Sequence, residues 1–68
     1  MSVEDQIKLL EQEAVEIMKG AKALAERLKE KEKAGQLKAG EKEDWLTAIE
    51  SNVKKAQEIR AEVRKLLA

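Results

Sequence analysis

Sixty-eight residues make one domain at most, 1–68, and a chain this short hides only about 60% of the surface its unfolded form exposes. Charged side chains make up 41% of it, but fourteen acids balance fourteen bases, which argues against an acidic nucleic-acid mimic and against a strongly basic nucleic-acid binder. With no Cys there is no disulfide or thiol chemistry. Trp45 is the lone aromatic, and Pro is absent.

The first predicted element is a helix over 2–34. Ser2-Val3-Glu4-Asp5 resembles a capping box, with Ser2 accepting a backbone N–H and Asp5 reaching back. Val3, Ile7, Leu10, Ala14, Ile17, Ala21, Leu24 and Leu28 then alternate steps of four and three, which draws one apolar seam along roughly eight turns. A helix with such a seam needs a packed partner. Lys29, Lys31 and Lys33 suit a helix C-terminus, and Gly35 suits a left-handed cap.

Residues 35–40, with two glycines, form the predicted loop. A second helix follows over 41–67, with Glu41, Glu43 and Asp44 in its first turn and Arg64 and Lys65 near its end. Its apolar stripe, from Trp45 and Leu46 through Ile49, Val53, Ala56, Ile59 and Val63 to Leu66 and Leu67, is wider and less regular than the first.

Charge order predicts how the two helices pair. Glu4 to Glu16 holds five acids and one base, and Lys19 to Lys33 six bases and three acids. Glu41 to Glu50 holds four acids and one base, and Lys54 to Lys65 five bases and two acids. Folding back at the loop sets acidic half against basic half twice. Each exposed pair contributes little, but four blocks of matching sign favour antiparallel packing. A straight loop would allow the same pairings between two chains as a domain swap; the two glycines favour the closed hairpin. The predicted fold is all-α, an antiparallel two-helix hairpin that dimerises into a four-helix bundle. The alternating small and large layers at Ala14, Ile17, Ala21 and Leu24 resemble the core of the Rop-type plasmid RNA-binding hairpin dimers. The likeness covers the core pattern and includes no functional motif.

Five residues are candidates for an interface. Val15 and Met18 sit off the main seam, beside Ala14 and Ile17, and make the apolar surface broader than two helices require; they point to self-association. Trp45 either plugs the loop end of the core or anchors a partner. Asn52 falls inside the apolar arc of the second helix, where an amide fixes register at a cost in stability. Arg60 falls there too, and its head can extend toward the Glu residues of the first helix. Gly20 either lets the helices approach closely or is a surface glycine costing about 1 kcal/mol relative to Ala.

Catalytic chemistry has little to stand on. Ser2, Thr47 and Ser51 have no imidazole base, because the chain has no His. Glu13 and Glu16 lie one turn apart, but di-iron bundles add Glu-x-x-His motifs. No enzyme activity, cofactor or metal is therefore expected. No apolar run approaches the ~20 residues of a membrane span. The N-terminal residues lack the basic and apolar regions of a signal peptide, so the expected location is cytoplasmic.

The leading functional expectation is a non-enzymatic protein–protein interaction module: a small adaptor, inhibitor or assembly protein acting through helix faces, as a homodimer and toward another protein. The alternatives are a nucleic-acid-binding hairpin dimer using Lys54, Lys55, Arg60, Arg64 and Lys65, and a designed bundle without a biological role. Glu50, Glu58 and Glu62 interleave those bases, and Gly20, Ser51 and Asn52 in helix interiors are choices that design avoids.

Overall fold

A computed structural model describes residues 2–68 as two helices, α1 (Val3–Lys33) and α2 (Glu41–Leu67), packed along their length. Ser2 caps α1: its hydroxyl accepts the Asp5 N–H at 3.2 Å, and its carbonyl accepts the Gln6 N–H. The C-terminus closes in a Schellman motif, where the Gln36 N–H reaches the Lys31 carbonyl and the Gly35 N–H the Glu32 carbonyl. Gly35 takes a φ of 67°, the left-handed conformation this motif requires.

Gly40, with φ 81°, turns the chain into α2 and offers no side-chain cap. The start of α2 is held from the loop instead. The Glu41 N–H reaches the Lys38 carbonyl, and the Lys38 N–H reaches Glu41 Oε2 at 3.1 Å. Across this end Lys31 Nζ lies 3.5 Å from Glu41 Oε1, and Lys42 Nζ lies 2.9 Å from Glu32 Oε2. At the far end Leu10 shares a groove with Leu66, so the helices run antiparallel in a closed hairpin.

The molecule is a rod of 50 × 15 × 14 Å with a radius of gyration of 15.6 Å, against about 11 Å for a globular chain of this length. Its core is narrow. Ala14, Ala21 and Leu28 on α1 and Ala56 and Val63 on α2 are the buried hydrophobic residues, and three of these five are alanine. They repeat at steps of seven, so each helix presents one central row to the other. Of the remaining apolar positions, Leu10, Ile17, Leu24 and Ile59 are only half-buried, and Val3, Leu46, Leu66 and Leu67 are exposed. The accessible surface is 5500 Å². A folded monomer of this mass is expected to expose about 4,300 Å², an excess of about 1,200 Å².

Candidate functional site

At 100° per residue, the positions three or four residues to either side of a central row lie on opposite flanks of the hairpin. On the first flank α1 carries Leu10, Ile17, Leu24 and Lys31, and α2 carries Trp45, Asn52, Ile59 and Leu66. All are half-buried except Leu66, which is 37% exposed. Near the free end this flank opens into a groove where Leu9 and Leu10 face Glu62 and Leu66.

On the second flank Met18 and Ala25 of α1 face Ile49 and Val53 of α2 across an open trough of about 490 Å³. Val15, 48% exposed, stands at its α1 edge, and Arg60 stands at its α2 edge. The five interface candidates thus divide between two surfaces. Val15, Met18 and Arg60 line one groove, while Trp45 and Asn52 belong to the other flank.

Arg60 does not make the expected contact with the Glu residues of α1. Among the described residues the ion pairs are Lys31–Glu41, Lys42–Glu32 and the exposed Lys19–Glu16, and Arg60 is exposed. Among the described residues no carboxylate lies within 4.0 Å of its guanidinium. Asn52 is half-buried, and no hydrogen bond from its side chain forms among the described residues. Gly20 is exposed, and a Cβ built there meets nothing within 4 Å, so it brings nothing close within the hairpin; the surface reading holds.

Trp45 is half-buried at the loop end, with the Lys31 ammonium 5.3 Å from its ring centroid. This cation–π contact is worth about 0.5–1 kcal/mol at a partly exposed site. Glu41 sits one turn before Trp45. The hydrogen bond from the Lys38 N–H pulls the Glu41 carboxyl below its ordinary 4.5; partial desolvation opposes this, and the Trp45 indole and the Lys31 ammonium add to the lowering. Lys31, Trp45 and Glu41 therefore form a clasp that pins the loop end in register.

The residues missed as site candidates include Leu10, Ile17, Leu24 and Ile59 on the first flank and Ala25, Ile49 and Val53 on the second. All but Ala25 belong to an apolar stripe visible in the sequence. What was missing is which row of each stripe occupies the centre. Among the described residues no helix is long and apolar enough to cross a membrane. No protein-family model, curated protein or solved structure matches this chain.

Proposed function

We propose that this protein is a non-enzymatic interaction module that works as a homodimer, with the first flank packed against the same flank of a second copy to give a four-helix bundle. One observation carries the reading. Leu10, Ile17 and Leu24 of α1 and Ile59 of α2 lie only half-buried on one side of a hairpin whose buried hydrophobic core, among the described residues, is five residues, three of them alanine. The surface excess of about 1,200 Å² covers the roughly 800 Å² that each partner buries in a standard interface.

Charge supports the pairing. In a face-to-face dimer with a two-fold axis, α1 stacks either on the partner's α1 or on its α2, running antiparallel to it in both cases. Both arrangements set the acidic half of one helix against the basic half of the other. The absence of His, Cys and Tyr from the composition supports the non-enzymatic part. The nucleic-acid reading gains no support, since Lys54, Lys55, Arg60, Arg64 and Lys65 spread around α2 rather than forming one track.

Sedimentation equilibrium tests the proposal. The expected result is a species of twice 7.7 kDa at micromolar concentration. A single 7.7 kDa species up to about 100 µM, where a weak dimer of this kind should still assemble, refutes it.

A further inference from the structure

The second flank remains open in the proposed dimer, and its chemistry differs from the first. Its floor is apolar: Met18, Ala25, Ile49 and Val53 surround the buried Ala21. Two small residues in that floor leave a trough rather than a flat surface. Val15 extends the apolar contact outward along α1.

The charged side chains lining this trough have one sign; an acid, Glu11, enters only in the adjoining groove that shares Val15 and Arg60 with it. Lys19 and Lys22 rise from α1, and Arg60 rises from α2. Among the described residues neither Lys22 nor Arg60 has a carboxylate within 4.0 Å. Lys19 reaches Glu16 only at 3.9 Å, between side chains 72% and 74% exposed. An apolar floor with unpaired cations on both edges complements an amphipathic helix whose apolar stripe carries carboxylates on both sides.

We propose that the trough between Val15–Met18 and Val53–Arg60 docks an acidic-edged amphipathic helix of another protein. A second copy, the occupant that Val15 and Met18 suggest in the sequence, is a poor one, because an isologous contact places the same patch on both partners and would bring the cationic rims together. The stretch from Val15 to Ala25 spans about 15 Å, so the bound helix needs about three turns. The dimer described above would present two such troughs.

The test uses the full chain and two labelled helical peptides of about fourteen residues, read by fluorescence polarisation. Both carry Leu at i, i+4, i+7 and i+11; one has Glu at the flanking positions and the other Lys. The Glu peptide is expected to bind at least ~10-fold more tightly, and to weaken as NaCl is raised through about 0.5 M. Lys22→Glu with Arg60→Glu should reverse the preference without loss of helical signal, since both side chains are exposed. Ile17→Asp, on the opposite flank, should leave peptide binding intact, which separates this surface from the dimer interface.

Equal binding of the two peptides, or no binding at about 1 mM, overturns the proposal. A Met18→Glu variant that stays helical but halves the molecular mass also overturns it, by showing that a second copy fills the trough. A wild-type chain that is monomeric yet still prefers the Glu peptide refutes the dimer alone.

Discussion

Three glycines allow one chemical change to be read at three positions with opposite expected signs. Gly20 lies inside α1, exposed, with nothing within 4 Å of a built Cβ. Gly20→Ala therefore removes the backbone entropy cost of glycine without a clash, and should stabilise by about 1 kcal/mol. Gly35 and Gly40 also have open space around a Cβ, but their φ values are 67° and 81°. Alanine in that conformation costs roughly 1–2 kcal/mol, because its Cβ crowds the backbone oxygen.

In a domain of this size each kcal/mol moves the melting temperature by about 4–8 °C. Gly20→Ala should therefore melt higher than the wild type by that amount, and Gly35→Ala and Gly40→Ala lower by at least as much. The assay is a far-UV circular dichroism melt of all four proteins at one protein concentration, because a dimer's melting temperature depends on it. The comparison also tests the closed loop. If residues 34–40 were straight helix bridging two swapped chains, both loop substitutions would replace a mid-helix glycine and raise stability instead. Loop variants that melt above the wild type, or a Gly20→Ala that melts below it, refute the reasoning.

Further expectations concern the flanks and the loop clasp. Ile17 is half-buried in the hairpin, so Ile17→Asp should dissociate the proposed dimer rather than unfold the helices. Two copies losing about 1 kcal/mol of burial each weaken association at least ~10-fold, before the cost of the charges; light scattering should show the smaller mass, and an unchanged mass places the interface elsewhere. Glu26→Ala, at an exposed position, should change neither mass nor melt. Asn52→Leu should raise the melting temperature and, by removing an unpaired amide from the first flank, allow species of more than one mass; an unchanged melt with one mass puts Asn52 outside the interface. Glu41 has a folded carboxyl pKa lowered chiefly by the Lys38 N–H. Its contribution to stability is full above the unfolded value of 4.5 and fades as pH falls through the lower folded value. Glu41→Gln should flatten the acid limb of the stability–pH profile, and superimposable limbs would show that the clasp adds nothing.

The helix ends were legible because they are set by single residues with local chemistry. Ser2 supplies an oxygen to an otherwise unpaired N–H, and Gly35 and Gly40 supply backbone conformations that other residues avoid. The antiparallel direction was legible from the order of charge, although ion pairs between the helices form only at the loop end among the described residues. The division of the site was not legible. An apolar repeat with steps of four and three contains two rows, one through Ala14 and Ala21 and one through Leu10, Ile17 and Leu24. Periodicity does not say which row meets the partner helix. Nor could spacing show that Arg60 would find no carboxylate, since that depends on the relative height of two helices to within one turn.

The choice of central row follows from size, and it accounts for both flanks. Helices joined by a short loop gain most contact when their axes approach closely, and axis separation falls with the bulk of the residues at the contact. Ala14, Ala21 and Ala56 are the smallest side chains available in their stripes, so placing them at the centre brings the backbones nearest. Larger groups at Leu10, Ile17, Leu24 and Ile59 cannot then fit between the axes and lie over the crevice instead, half-covered. On the other side the mid-helix positions are Met18, Ala25 and Val53, which are flexible or small, so the same close approach leaves a trough there; Leu46 and Leu67 of the same flank lie exposed and do not line it. One flank is thus rich in half-buried Leu and Ile, the row that the proposed dimer would cover. The other carries an apolar trough edged by Lys and Arg, the surface that the proposed docking would use. A larger central row would hold the helices apart, sink the Leu and Ile row into the hairpin's own core, and remove the reason for either surface.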